Sequence, residues 1–370
     1  MNEYIYIKNV GPLKKVEINI KKINVFIGEN GTGKSIAAKL LQIKRENEEF
    51  EDYGLREFIL NNSEIKYESK LFGKKENRFE RIIRGLKNSA LNYSLNKEIE
   101  EEIEKFLEIV FNQKNSYYIP VERSFVPFFS SYGINLMASK IPLPQYVIEF
   151  ATEFRLAKDK IKEKNILGVT YKFENDEDKI FIDKKRYITL KNASSGIQTI
   201  VPLYITIEYL NSINNKDFII ETLQNEKGKE KHLFKEKKVD YKHNKFYILE
   251  EPELNLFPKE QFEIVKFMIE NSDSILYVTH SPYVLYALNI LLFAYKVGNL
   301  SDKIADEVNK IVDRKYWINP NEFSAYYFKD GEAKSFFNGS LIDDNLIDDV
   351  SSEFEDIFDE LKDIYKRAKK

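Results

Sequence analysis

The chain of 370 residues sets 57 Lys+Arg against 60 Asp+Glu, and a net charge of −3 supplies no global basic field for nucleic acid. A hydrophobic content of 43% is enough for a buried core, so the chain reads as globular, with room for one large domain or two ordinary ones. The absence of cysteine removes disulfides, thiolate metal sites and cysteine nucleophiles together, in keeping with a reducing compartment. The opening MNEYIYIKNV lacks a basic region followed by an apolar segment, and the run YVLYALNILLFAY is too short and helix-like for a membrane span. A cytoplasmic protein without membrane association is expected, with that run as a buried core helix.

In chain order, alternating apolar residues predict strands at Tyr4–Ile7 and Val16–Ile20 around a Gly11-Pro12 turn, then a continuous strand at Ile23–Ile27. A glycine-rich turn leads into a helix from about Lys34, and no element is assigned from its end to about Ser94. Ile99, Ile103, Phe106, Leu107 and Val110 predict a helix over Asn96–Phe111; the strand SYYIPV follows, then a second helix over Pro142–Lys164. Residues 45–165 therefore read as a largely helical insertion in a single domain of residues 1–370. Three strand-like pieces come next: ILGVTYKF, KIFID and RYITL. A helix spans Gly196 to about Leu210, and residues 211–245 form an exposed, lysine-rich excursion. Strands return at KFYILE and SILYVTH, each followed by a helix, the βαβ rhythm of a partly parallel sheet. Within 340–370, Leu346, Val350, Phe354, Ile357, Phe358, Leu361 and Ile364 lie on one stripe of an amphipathic helix.

Four motifs carry chemistry. Gly28-Glu29-Asn30-Gly31-Thr32-Gly33-Lys34-Ser35 matches G-x-x-x-x-G-K-S between a strand and a helix, where backbone N–H groups and the helix N-terminus converge on phosphate oxygens. Asn30, Gly31, Thr32, Gly33 and Lys34 are the expected nucleotide cradle, Lys34 reaching the β- and γ-phosphates and Ser35 holding Mg2+. FYILEEPELNLFP ends a strand on adjacent carboxylates, with Glu250 assigned to the metal and Glu251 to the attacking water. ILYVTHSP places His280 just past another strand end, where a ligand of an open α/β sheet lies; His232 and His243 read as plain surface residues. KNASSGIQTIVPL opens a helix with small hydroxyl residues; it reads either as an N-cap at Ser194 or Ser195 or as part of the same site.

In this order the motifs resemble the ATP-binding-cassette type of head domain shared by SMC proteins, RecF and the ATPase part of OLD (overcoming lysogenization defect) nucleases. YIPVERS, SSGIQ and EEPELNLFP resemble more narrowly the OLD-like AAA ATPases of bacterial and phage-defence loci. The resemblance implies an α/β fold: an ABC/SMC-type P-loop ATPase head with an N-terminal β hairpin or arm, a mixed sheet and an inserted helical subdomain. It implies a signature at Ser194-Ser195-Gly196-Ile197-Gln198, a Walker B at Tyr247–Glu251 and a switch histidine at His280. Ser194 and Gly196 of one subunit would then cap ATP bound at Lys34 of another, making the active unit a homo-oligomer, a dimer or higher. Glu250 stands where many relatives carry Asp, and Ser195 with Ile197 departs from the common signature; both are compatible with slow hydrolysis. Arg123 lies about where such ATPases couple nucleotide to partner, while a salt bridge with Glu122 or a surface role accounts for it as well.

About ninety residues follow His280, short for a TOPRIM domain, and the chain has no room for a long coiled-coil arm. The leading expectation is an ATPase sensor or scaffold of a two-component defence system, resembling the subunits of PARIS-, Septu- or abortive-infection-type loci. Its partner would be a separate effector such as a TOPRIM or HNH nuclease, or a toxin, answering a phage-derived trigger. The alternative is a RecF-like repair or clamp ATPase, for which the lysines of Asn225–Lys245 could neutralise DNA phosphates. A transporter subunit accords poorly with the EEPELNLFP and PVERS segments.

Overall fold

The computed structural model describes residues 3–46, 54–69, 116–128, 143–212, 216–224, 230–238 and 245–343. Where a single domain is expected, contacts divide the chain into two compact units. Met1–Leu41, Gly54–Glu68 and Ile248–Lys370 form the first, Gln42–Tyr53 and Ser69–Tyr247 the second. The helices expected over Asn96–Phe111 and along the C-terminal stripe lie outside the described residues, apart from the first few positions of 340–370.

The first unit begins with β1 (Glu3–Val10) and β2 (Leu13–Ile20), antiparallel, with Ile5 opposite Ile18 and Ile7 opposite Val16. The period of two puts these four residues together in the core. β3 (Ile23–Gly28) is buried through most of its length. Its one internal polar side chain, Asn24, donates to the carbonyls of Lys21 and Ile275 and accepts from Lys21 N–H and Ser324 Oγ. Such full pairing offsets the cost of burying an amide. α1 (Lys34–Glu46) follows, and then β4 (Ile59–Ser69), a strand inside the span expected to be largely helical.

In the second unit, β5 (Ser116–Ile119) carries a buried serine whose backbone carbonyl accepts from Gln42 Nε2. Arg123, just beyond, is fully buried and donates from Nη1 to the Pro120 carbonyl at 2.9 Å, which removes the surface role considered for it. α2 (Gln145–Lys160) buries Phe150, Phe154 and Ala157 and stops four residues before the expected Lys164. Its expected last turn instead enters a four-stranded antiparallel sheet of β6 (Glu163–Ile166), β7 (Val169–Glu174), β8 (Glu177–Phe181) and β9 (Tyr187–Thr189). ILGVTYKF, read as one strand piece, turns at Leu167-Gly168, both at positive φ (43° and 88°), as a two-residue primed hairpin requires. Asn175-Asp176 makes the next turn the same way, at 53° and 58°. α3 (Ser195–Ser212) completes the expected helix. The lysine-rich stretch forms a hairpin of β10 (Lys216–Gln224) and β11 (Glu230–Lys238), paired from Lys216↔Lys238 to Gln224↔Glu230.

β12 (Phe246–Glu250) returns the chain to the first unit, followed by α4 (Pro258–Asn271), β13 (Ser274–Thr279), α5 (Pro282–Gly298) and α6 (Asp302–Asn309). β14 (Phe323–Lys329) and β15 (Glu332–Ser335), which the periodicity did not single out, close the described chain's regular structure. The first unit's strands stand in the order β4-β1-β2-β15-β14-β3-β13-β12, with β13 and β14 both parallel to β3. This is a mixed α/β sheet, and β12 and β13 are buried at every position, the continuous apolar pattern of strands covered on both faces. α5 is the expected core helix along Val284, Leu285, Leu288, Leu291 and Leu292, yet Tyr283, Tyr286, Ile290 and Phe293 make its opposite stripe exposed. No described helix is long and apolar enough to cross a membrane.

Candidate functional site

Parallel pairing of β3 with β13 runs from Ile23↔Ile275 to Ile27↔Thr279, so the two strands end together. The backbone N–H of Glu251 donates to the Val278 carbonyl at 2.8 Å, which brings the acidic pair to the same edge. Ligands of α/β sheets bind at such carboxyl ends.

The loop after β3 has the geometry its glycines allow. Gly28 has φ +150°, and a Cβ there would overlap the carbonyl oxygen of Phe328. Gly33 has φ +97°, and a Cβ there would overlap the Leu13 side chain. Left-handed backbone and close approach both exclude larger residues. Ala37 N–H donates to the Gly33 carbonyl at 2.9 Å, so the helix opens on the loop and aims its first N–H groups into it. Thr32 Oγ1 donates to the Glu29 carbonyl at 2.8 Å and tightens the turn. Asn30 and Gly31 are exposed at its tip, and Ser35 is exposed on the first turn of α1.

Lys34 is buried, and its ammonium donates to the carbonyls of Gly28 (2.8 Å) and Glu29 (2.7 Å). Burial pulls its pKa down to about 8, against the opposing pull of Glu251, Glu253 and Glu29. A desolvated ammonium held within the loop is a strong partner for a polyphosphate.

Glu250, the last residue of β12, is buried, and Glu251 follows at φ +41°, a conformation uncommon outside glycine. Glu251 Oε1 lies 3.7 Å from His280 Nε2. On the other side of the ring, Nδ1 is 3.0 Å from the Gly28 carbonyl oxygen. A carbonyl only accepts, so Nδ1 carries a proton, and Nε2 is the ring nitrogen that faces Glu251. The structure thus joins the phosphate loop, the acidic strand end and the histidine, as the motifs imply. It adds Glu253, which the sequence reading passed over: its Oε1 accepts from His280 N–H (2.7 Å) and Thr279 Oγ1 (2.8 Å). The third acidic residue of EEPE was the available signal. Ser281 caps α5 by accepting from Tyr283 N–H at 3.1 Å, holding the residue after the histidine as well.

Ser194, Ser195 and Gly196 belong to the second unit, at the start of α3. Ser194 occupies the N-cap position, its carbonyl accepting from Gln198 N–H at 3.0 Å, and both serines are exposed.

A phosphate loop with a buried lysine, opposed by a carboxylate and a histidine at the ends of parallel strands, defines a P-loop ATPase. The chain belongs to the family described as "AAA domain, putative AbiEii toxin, Type IV TA system", which matches residues 23–285. Among solved structures it is similar to the SMC head bound to the C-winged helix domain of ScpA, at 12% identity and TM-score 0.38, covering 90% of this chain and 96% of that one. It is also similar to the SMC head domain from Thermotoga maritima, at 13% identity and TM-score 0.35, covering 90% and 98%. No curated protein matches the chain.

Proposed function

We propose that this ATPase is a sensor or regulatory scaffold of a bacterial anti-phage defence system, controlling a separate nuclease or toxin in trans. The observation that carries the ATP-driven part is His280 bridging Gly28 of the phosphate loop and Glu251. The family description, naming a putative toxin of a type IV system, favours abortive infection as the setting. Asn30 to Ser35 would cradle the triphosphate, and Lys34 would turn its ammonium from the loop carbonyls to the β- and γ-phosphates. Glu251 would orient and deprotonate the attacking water, with His280 sensing the γ-phosphate beside it. Ser35 Oγ on the first helical turn and the Glu250 carboxylate are hard oxygen donors that suit Mg2+, a metal that completes its shell with phosphate oxygens and water. When bound, the metal would neutralise charge developing on those phosphates.

Ser194 and Ser195, exposed at the start of α3 beside the half-buried Gly196, support a composite site in which one subunit's signature caps the nucleotide of another. Dimerisation would then depend on ATP. The test is an affinity capture of the Glu251→Gln variant with Mg-ATP from its native host, identifying protein and nucleic acid together. Stoichiometric recovery of one nuclease-like or toxin-like protein supports the reading; DNA without such a protein moves the assignment to a RecF-like clamp ATPase. That second reading has one observation in its favour, the lysine-rich β10-β11 hairpin, and it requires a DNA affinity that falls steeply with salt.

A further inference from the structure

We propose that Glu253 is a positioning residue that fixes the place and tautomer of His280 against Glu251, and so sets the rate of the hydrolytic step. The proposal deepens the ATPase reading above and rests on it.

A single carboxylate oxygen, Glu253 Oε1, accepts from the His280 backbone N–H at 2.7 Å and from Thr279 Oγ1 at 2.8 Å. Thr279 Oγ1 in turn accepts from Ser281 N–H at 2.9 Å, so one acid holds three consecutive residues around the histidine. Glu253 is itself fixed to the segment that starts at Glu251: Leu254 N–H donates to the Glu251 carbonyl at 3.0 Å and Leu256 N–H to the Glu253 carbonyl at 2.9 Å. The turn bearing the carboxylate and the strand end bearing the imidazole therefore move as one piece. With the main chain of His280 fixed, its ring reaches the Gly28 carbonyl through Nδ1, and this bond selects the Nδ1–H tautomer. Nε2 is thereby held as the ring nitrogen facing Glu251, 3.7 Å from its Oε1.

Glu253 Oε2 is buried and makes no hydrogen bond among the described residues, a costly state for a carboxylate. A glutamine would keep the Oε1 acceptor but place an unpaired amide NH2 where Oε2 lies. The charge strengthens both bonds at Oε1, and it also adds to the negative surroundings that oppose the loss of the Lys34 proton.

The test uses the full chain with histidine labelled in 15N. Its three histidines make the spectrum assignable by comparison with His280→Ala. Long-range 1H–15N correlations of the neutral ring should show Nδ1–H for His280 in the native chain and in Glu253→Gln, and mainly Nε2–H in Glu253→Ala. In parallel, Glu253→Ala should lower kcat by about tenfold or more with nucleotide affinity within about twofold. Adding His280→Ala to it should cost nothing further. An unchanged tautomer in a folded Glu253→Ala chain overturns the proposal, as does a loss of nucleotide affinity that matches the loss of turnover. Should Glu253→Ala melt below the assay temperature, Glu253→Asp withdraws the carboxylate by one bond and serves the same comparison. A tautomer that responds to Glu253 in a chain without ATP turnover overturns the hydrolytic role and the ATPase reading, leaving only the geometry.

Discussion

His280 and Gly28, separated by 252 positions in sequence, are joined through Nδ1 and a carbonyl oxygen 3.0 Å apart. The same carbonyl accepts from Lys34 Nζ at 2.8 Å, so the histidine and the lysine of the loop share one acceptor. A phosphate that draws Lys34 away from Gly28 would alter the bond that orients His280. Five expected outcomes follow, three at this site and two that involve the second unit.

Glu251→Gln should retain Mg-ATP while losing turnover by about 100-fold or more, because an amide cannot take the proton of the attacking water. Glu250→Gln should instead weaken Mg2+ binding, so that turnover requires a higher Mg2+ concentration. Equilibrium binding and phosphate release on both variants separate the roles; ATP retention in Glu250→Gln with turnover lost would reverse them.

Lys34 gives a stability dependence whose sign is fixed by its lowered pKa. Between about 8 and its ordinary value of 10.5 the unfolded chain holds a proton that the folded chain has released, so folding stability rises with pH across this window. The rise is at most about 3 kcal/mol at roughly 1.4 kcal/mol per pH unit. Denaturant titrations from pH 7.5 to 10.5 should show it in the native chain and not in Lys34→Met, which should also fail to bind nucleotide.

Gly28→Ala places a methyl against the Phe328 carbonyl oxygen at a φ that L-residues rarely adopt. The loop can accommodate it only by parting β3 from β14, and a destabilisation of about 2 kcal/mol or more is expected, with nucleotide binding lost. Gly31→Ala is the control for crowding: nothing lies near its Cβ position, so only the strain of φ +77° applies. A smaller loss is expected there, measured by the same melts.

In the second unit, Asp178 accepts from Tyr171 Oη at 2.7 Å and from Lys158 Nζ at 3.1 Å, with both members of the ion pair largely buried. Asp178→Ala leaves an ammonium and a phenol in the core without their acceptor and should cost about 3–5 kcal/mol. Replacing Lys158 by Met and Asp178 by Leu together should recover most of that loss in chemical denaturation.

Mixing two inactive chains tests the composite site. Lys34→Ala and Gly196→Asp should each abolish turnover alone, while an equimolar mixture should recover about a quarter of native activity if half the dimers are mixed and each has one intact site of two. No recovery in the mixture, with both variants folded, would rule out sharing between subunits.

The acidic turn shows what could be read in advance and what could not. EEPE announced two carboxylates at a strand end, and their place beside the phosphate loop followed from the βαβ rhythm. Which of three acids would turn back to hold the histidine depended on a positive φ at Glu251 and on backbone bonds to Val278, neither of which has a residue signature. The same holds for Leu167, where a leucine at positive φ splits an apparently continuous strand. Phe323–Lys329 of β14 is short and buried almost throughout, and such a run lacks the alternation that marks a strand, while β15 is four mostly exposed residues with no apolar pattern.

By itself the sequence determined the phosphate loop, since only glycines tolerate its dihedral angles, and it determined the strand-to-helix context that gives the loop its dipole. It determined the acidic pair and the histidine as residue types at the ends of apolar runs. Tertiary structure alone decided that β3 lies between β13 and β14, which brings residues 28, 251 and 280 to one edge. It also decided the approach of His280 Nδ1 to the Gly28 carbonyl, the buried state of Lys34 and the two bonds accepted by Glu253. Periodicity encodes which face of a segment is buried; it carries no information about which strand becomes the neighbour, and the chemistry of this site arises between neighbours.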